Sequence, residues 1–459
     1  MSTLAITNPA DGTPLAEVAA DDAASVAAKF ARARRAQPGW AATPLAERSD
    51  AIRRFRAAVE RELEALARTL TQEVGKPLQQ SRNELNGFLG RIDFFLAEVE
   101  RTVAPETVFA DAAMTERIDH DPLGVVANVS AWNYPYFVGG NVFVPALLTG
   151  NAVLYKPSEF ATLTGLHIDR LLHGAGIPGD VFITVVGAGD VGAALLAQPV
   201  DGVFFTGSVA TGAKIAAQTG SRMVRLQLEL GGKDPTYVAD DADPKAAAES
   251  LADGAMYNTG QSCCSVERIY VHERIHDEFV RHFVATVAGF RIGDPLADGS
   301  YIGPLTRRPQ LDVLDAQVAD AVAKGATLAA GGQRIDRAGN WYAPTVLTNV
   351  DHTMAVMRDE SFGPIIGIQK VKGDDDALAL MNDTRYGLTA GMYTRDEARA
   401  AKLLRQVRAG SVYWNCCDRV SPRLPWSGHG DSGVGVTLST YGIQTFTRPR
   451  AWHLRSASS

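Results

Sequence analysis

Cysteine is scarce: the 459 residues contain four, falling as two adjacent pairs, Cys263-Cys264 and Cys416-Cys417, with no C-x-x-C spacing. That excludes a disulfide framework and fits a reducing, cytoplasmic compartment. A positive charge balance is lacking too. Lys and Arg number 45 against 52 Asp and Glu, a formal net charge of −7, so no global basic field draws in nucleic acid or an anionic membrane. Met1 to Gly12 holds no basic region followed by an apolar core, which predicts no secretory signal. Pro122 to Tyr155 is uncharged and long enough to raise a membrane span, but Asn128, Asn133, Pro135, Gly139, Gly140, Asn141, Pro145 and Asn151 interrupt it. Buried strand, loop and short helix is the better reading. What the chain does have is 46% hydrophobic residues, enough for a sizeable core, and a length that suggests roughly two to four structural units.

The first hundred residues read as helices. Asp21-Asp22 is placed to cap a segment through Ala28–Arg34, and Thr43-Pro44 ahead of Glu47 resembles an N-cap with Pro at the first helical position. From Leu45 to Leu70, apolar residues recur at three- and four-residue steps (Ile52, Phe55, Val59, Leu63, Leu66, Leu70), giving one buried face. A third helix follows Lys76-Pro77 through Phe88, Ile92, Phe95 and Val99. After Pro122, short apolar runs at Val125–Val129, Ala152–Tyr155, Val181–Val186 and Val203–Phe205 alternate with helical stretches starting near Thr162 and Gly192. A second series follows Gly231, with strands at Thr236–Val238, Arg268–Val271, Ile365–Gln369 and Val412–Trp414 and helices at Pro244–Tyr257 and Ile275–Phe290. Strand-helix alternation implies parallel sheets covered on both faces, so two α/β units in tandem are expected. Thr115–Asp121 and the tail Thr445–Leu454 alternate polar and apolar residues, as edge strands that pair with another chain do.

Two motif matches carry less than they spell. His272-Glu273-Arg274-Ile275-His276 reads H-E-x-x-H, which holds zinc only when all five residues lie on one helix. Here the β-branched and aromatic run Ile269–Val271 leads straight into His272, so the motif straddles a strand end and a helix start, and no third ligand is evident. No metal is expected. Gly187 to Gly192 matches G-x-G-x-x-G between a strand and a helix, yet the acid that should hold a ribose ~20 residues on is absent from Gly207 to Ala213.

The segment that carries chemistry is Asn258-Thr259-Gly260-Gln261-Ser262-Cys263, continuing to Arg268. A Cys between small polar residues after a Gly turn is placed as an exposed nucleophile, although a Cys taken alone is more often structural. Read with Glu229-Leu230-Gly231-Gly232-Lys233, it resembles the aldehyde dehydrogenase superfamily, whose signatures are E-L-G-G-K and N-x-G-Q-x-C-x-x-x-x-R. Further signatures agree in order: Trp132-Asn133-Tyr134-Pro135, Lys156-Pro157-Ser158-Glu159, Phe205-Thr206-Gly207-Ser208 through Gly212, and Glu360-Ser361-Phe362-Gly363-Pro364. Pro425-Trp426-Ser427-Gly428 through Gly433 stands where P-F-G-G…S-G is usual. The resemblance covers essentially the whole chain and extends to short succinate-semialdehyde-dehydrogenase-like members.

The resemblance implies an α/β aldehyde dehydrogenase fold with a Rossmann-like NAD-binding domain (1–105 and 123–231), an α/β catalytic domain (232–435) and a small β oligomerisation arm (106–122 and 440–459). It implies Cys263 as the nucleophile attacking an aldehyde, Asn133 and the Cys263 N–H as donors to the oxyanion, and Glu229 as the base that activates water against the thioester. Flanked by Leu228 and Leu230, Glu229 is expected to have a raised pKa. The retained base argues against CoA-acylating relatives. Trp132, Lys156, Glu159, Gly207, Ser208, Glu360 and Phe362 match the family's cofactor contacts, and Glu159 favours NAD over NADP without excluding dual use. Gly187–Gly192 then becomes a turn near the adenine half of the site. A homodimer or homotetramer is expected.

Departures mark the substrate side. Tyr134 and Tyr257 supply aromatic lining, but Asn141 stands where an aromatic residue is often found. Arg419 and Arg423 follow Asn415-Cys416-Cys417-Asp418 near the family's substrate-facing loop, and one of them is a candidate anchor for an anion such as a semialdehyde carries; two solvated loop arginines is the alternative. Two rival functions stay open at this point, a cysteine-dependent esterase or hydrolase, and a non-catalytic binding protein on the same fold.

Overall fold

The computed structural model describes residues 2–456. Asp22 caps the helix Ala23–Ala42 in a reciprocal capping box with Ser25. The run expected as one face from Leu45 to Leu70 is two helices, Leu45–Arg61 and Leu63–Val74, broken at Glu62, whose φ of −102° and ψ of 10° leave the helical range. Both still feed one core, through Ile52, Phe55 and Val59 and through Leu66 and Leu70. Pro44, not Thr43, takes the cap position, and Thr43 ends the preceding helix. Gly75, at φ 82°, turns the chain in the left-handed region that glycine tolerates. That turn delivers Lys76 to a fully buried ion pair with Glu84 of the helix Leu78–Val103.

Two mostly parallel sheets follow. The first runs in the order Gly433–Val434, Arg225–Glu229, Gly202–Thr206, Val125–Val129, Ala152–Lys156, Phe182–Thr184, antiparallel only at its first pair. Alternate residues feed two cores: Val126, Val153 and Phe204 one, Val125, Ala127, Val203, Phe205 and Leu228 the other. Burial on both faces is what a parallel sheet requires. The chain steps outward from Val125–Val129 to Phe182–Thr184 and then returns to its other side. A crevice therefore opens at the carboxyl ends of the strands beside Val125–Val129, the usual seat of a ligand in open α/β sheets.

The second sheet is ordered Thr327–Ala330, Thr345–Thr348, Ile365–Val371, Val266–His272, Asp234–Val238, Thr389–Tyr393, Ser411–Trp414, again antiparallel only at its first pair. Strands at Arg225–Glu229, Thr345–Thr348 and Thr389–Tyr393 were not legible as apolar runs. The two alternating segments are strands Met114–Pro122 and Thr447–Arg455, and they pair with each other, together with Glu106–Ala110. The tail strand begins at Thr447 because the helix Ser439–Gln444 first buries Ile443 in the core. His272 ends one strand and His276 starts a helix, so the two imidazoles of the H-E-x-x-H match sit on different elements. Among the described residues no group of three or more His, Cys, Asp or Glu side chains is placed to hold a metal, and no helix is long and apolar enough to cross a membrane.

Candidate active site

Cys263 follows a loop whose backbone few residues adopt. Asn258 and Thr259 lie at φ 52° and 56°, and Gly260 at 71°. Side chains of the same segment hold it there. Asn258 Nδ2 donates to Gln261 O at 3.0 Å and to Asn133 O at 3.3 Å, while its N–H donates to Gln80 Oε1 at 2.9 Å. Gln261 Nε2 donates back to Asn258 O at 3.2 Å, and Gln261 Oε1 accepts from Thr306 N at 2.9 Å. A Cβ on Gly260 would stand 2.1 Å from Gly363 O, so only glycine fits. This network leaves Cys263 half-buried at the mouth of the strand Val266–His272. Asn133 Nδ2 donates to Gln261 O at 3.1 Å, which fixes the amide beside the loop with its second N–H uncommitted.

Glu229 closes the strand Arg225–Glu229 and is 6% exposed. Burial pushes its carboxyl up to about 7, against a hydrogen bond from Thr437 Oγ1 and the positive charge of Arg91, which pull it down. The two glycines after it permit close approach: a Cβ on Gly231 would stand 2.3 Å from Glu360 Oε2, and one on Gly232 2.9 Å from Cys263 O. Gly232 N donates to Glu360 Oε1 at 3.1 Å, and burial lifts that carboxyl to about 8. Lys233 pairs at 2.5 Å with Glu267, which accepts from the N–H groups of Ser361 and Phe362. Phe362, at φ 46°, is thereby held with its ring edge-to-face against Trp132, centroids 5.5 Å apart. Arg268, the last residue of the cysteine signature, is wholly buried and donates to Lys233 O, Leu380 O and Met381 O. It ties its strand to the segment that follows the base and to the helix Asp374–Asn382.

Cys263 and Glu229 line one cavity of about 640 Å³, together with Tyr134, Tyr257, Arg419 and Arg423. Arg419 and Arg423 are exposed, Tyr134 and Tyr257 half-buried. The cofactor set lies outside this cavity. Trp132, Lys156 with Glu159, and Gly207 with Ser208 stand at or just past the carboxyl ends of adjacent strands of the first sheet. Lys156 is 4% exposed and its ammonium donates to Pro157 O at 3.2 Å; Glu159 accepts from Ser158 Oγ at 3.3 Å. Ser208 is exposed and caps the helix Val209–Thr219. Gly207 N donates to Glu229 O at 3.0 Å, so this strand end is fastened to that of the base.

Sequence reasoning missed Arg91, Lys76, Glu84, Asp418 and Thr437. Asp418, pushed up to about 7 by burial, accepts from Cys264 Sγ at 3.0 Å and Ser262 Oγ at 3.4 Å. Cys264 is buried, and its thiol is held well above the ordinary range by the adjoining Cys263 and by burial. One signal was available: Glu84 and Arg91 sit seven residues apart within the apolar stripe of Leu85, Phe88, Ile92 and Phe95, where a charge is unexpected. Asn141, the departure from an aromatic lining, accepts from Arg91. Nothing comparable marks Thr437.

Residues 1–452 match the model of the aldehyde dehydrogenase family. The chain is 36% identical to 3,6-anhydro-alpha-L-galactose dehydrogenase of Streptomyces coelicolor, over 99% of this chain and 94% of that one. It is 35% identical to a putative succinate-semialdehyde dehydrogenase [NADP(+)] of Mycolicibacterium smegmatis, over 95% and 86% respectively. The solved structure of PnpE in complex with nicotinamide adenine dinucleotide superposes with a TM-score of 0.96 at 32% identity, covering 100% of this chain and 95% of that one. The chain therefore belongs to the aldehyde dehydrogenase family. It is an enzyme of NAD(P)-dependent aldehyde oxidation.

Proposed function

We propose that the chain oxidises its aldehyde to the carboxylic acid through a thioester on Cys263, hydrolysed by water that Glu229 activates. The observation that carries this is the convergence, on one cavity, of a half-buried Cys and a buried carboxyl pushed to about 7. The Cys263 thiolate forms a C–S bond to the aldehyde carbon, and the carbonyl oxygen becomes an oxyanion. The free N–H of Asn133 and the backbone N–H of Cys263 stabilise that charge; removing one such donor costs ~2.7–4 kcal/mol. Hydride departure restores the C=O as a thioester. Glu229 then takes a proton from water as the oxygen attacks, and the C–S bond breaks to release the acid and the thiolate. A carboxyl near 7 is half ionised at neutral pH, matched to that duty.

The residues at the first sheet suit a dinucleotide. A buried Lys156 beside Glu159 can grip ribose hydroxyls, the capped helix start at Ser208 suits pyrophosphate, and the Trp132–Phe362 pair with Glu360 suits the nicotinamide half. When bound, the dinucleotide supplies the hydride acceptor. Glu159 would repel a 2′-phosphate, so NAD is the preferred form and NADP the weaker one; the relatives' names include both cofactors. Residues 1–105 with 123–231 form the cofactor domain in this reading and 232–435 the catalytic one. The outer edge of Thr447–Arg455 offers unpaired backbone groups to a second copy in a cytoplasmic homodimer or homotetramer.

Mixing the protein with an aldehyde and NAD or NADP tests the reading: an NADH absorbance rise with acid product is expected, and acyl-ester cleavage without any dinucleotide reduction would favour the hydrolase instead. The base assignment makes a separate prediction. Glu229 acts as its carboxylate, so turnover limited by thioester hydrolysis should rise with pH through about 7. Thr437→Val removes a hydrogen bond that lowers this pKa, so the acid limb of kcat should move to higher pH. An unmoved limb would disconnect Glu229 from it.

A further inference from the structure

Arg91 is a buried cavity-lining cation with no place in the family signatures, and its charge enters the catalytic scheme only by lowering the Glu229 carboxyl. It is 5% exposed, and among the described residues it makes one hydrogen bond, from Nη1 to Asn141 Oδ1 at 2.8 Å. Nε and Nη2 have no protein acceptor among the described residues, and they are not sealed away; Arg91 lines the same cavity as Cys263 and Glu229. A guanidinium this deep normally finds a carboxylate. Glu84 belongs to Lys76 and to the N–H of Tyr136 at 2.9 Å, and Glu229 to Thr437.

The side chain is also immobilised. Lys76 Nζ lies 3.6 Å from the centre of the Tyr134 ring, Tyr134 stacks on Phe137 with centroids 5.8 Å apart at 10°, and the Arg91 guanidinium lies 3.7 Å from the centre of Phe137. A column of cation, two rings and cation runs along the cavity wall, its two ends pinned by Glu84 and by Asn141. Held in this way, the free edge of Arg91 is a preorganised fork of donors, and a planar fork best matches the two oxygens of a carboxylate. Of the remaining charges, Arg419 and Arg423 are positive, Glu84 is paired with Lys76, burial lifts Glu229 and Asp418 to about 7 so that each is part protonated at neutral pH, and Asp253 accepts a hydrogen bond from the Tyr301 hydroxyl.

We infer that Arg91 is the specificity-determining residue of the aldehyde site and that it takes the carboxylate of an ω-carboxylated aliphatic aldehyde, a semialdehyde. This rests on the dehydrogenase reading and moves the anion anchor from Arg419 and Arg423 at the exposed mouth to the cavity wall. The test compares kcat/KM for ω-carboxylated aldehydes of three to six carbons with that for unsubstituted and ω-hydroxylated aldehydes of equal length. The comparison is made in the parent protein, Arg91→Met, Arg91→Lys and the Arg419→Ala/Arg423→Ala double variant.

In the parent, one carboxylated length should be preferred over its neutral partner, and Arg91→Met should lower that preference about 10- to 100-fold, the worth of a hydrogen bond to a charged group. Arg91→Lys should recover part of it. Equal losses on charged and neutral substrates would assign Arg91 to packing or to its charge beside Glu229 and overturn the inference. So would a parent that prefers neutral or hydroxylated aldehydes, or a preference lost only in the double variant. Should Arg91→Met fail to fold, competitive inhibition of the parent by dicarboxylates over monocarboxylates of the same length decides, equal inhibition counting against the inference. Absence of dinucleotide reduction with every aldehyde would instead defeat the dehydrogenase reading.

Discussion

Cys263→Ser is expected to lose aldehyde oxidation by about 10³-fold or more while binding the dinucleotide nearly as the parent does. A serine hydroxyl at this position stays protonated at neutral pH and is a much weaker nucleophile than a thiolate. Cys263 is half-buried at the cavity, while the thiol of the buried Cys264 is committed as a donor to Asp418 at 3.0 Å. Cys264→Ser preserves a donor to Asp418 and is therefore expected to keep a large share of activity. Initial rates of NADH formation, with dinucleotide affinity measured by quenching of protein fluorescence, separate the two variants. Comparable rates in Cys263→Ser and the parent would overturn the nucleophile, and the reverse order of the two variants would transfer the role to Cys264.

The signatures were legible because each is a local solution to a packing problem. Asn258, Gly260 and Gln261 hold a left-handed loop by hydrogen bonds within four residues, and Gly231 and Gly232 let two backbones approach where any side chain would collide. Buried strands read as apolar runs, which is why Val125–Val129 and Ala152–Lys156 were placed nearly to the residue. Arg225–Glu229 was not, because it opens on Arg225 and carries Gln227 in its centre, and nothing in Arg-Leu-Gln-Leu-Glu marks a strand buried at one end only. The wall of the cavity was illegible for a different reason. Arg91, Phe137 and Asn141 come from two helices, and Thr437 reaches Glu229 across 208 positions of sequence. Such pairings exist only once the sheets have brought the segments together, and a single sequence has no period that announces them.

Glu229→Gln tests the other half of the mechanism, and its signature is a change of rate-limiting step. The amide keeps the acceptor for Thr437 but cannot take a proton from water, so attack on the aldehyde and hydride loss proceed while hydrolysis stalls. A burst of NADH equal to the concentration of active sites should precede a steady state slowed by about 10²- to 10⁴-fold, the usual worth of a general base. Intact mass during the slow phase should show Cys263 carrying the acyl group. A uniformly slow reaction without a burst would place Glu229 in an earlier step. The stability of the same variant provides an independent control. Because the folded-state carboxyl titrates near 7, above its ordinary 4.5, the folded form binds its proton more tightly than the unfolded chain does. The resulting stabilisation is complete below pH 4.5 and is lost as pH rises through about 7, the burial cost of the charge then being fully present. Gln has no proton to lose, so the variant should match the parent in acid and exceed it in Tm above pH 7, which separates a lost base from a damaged fold.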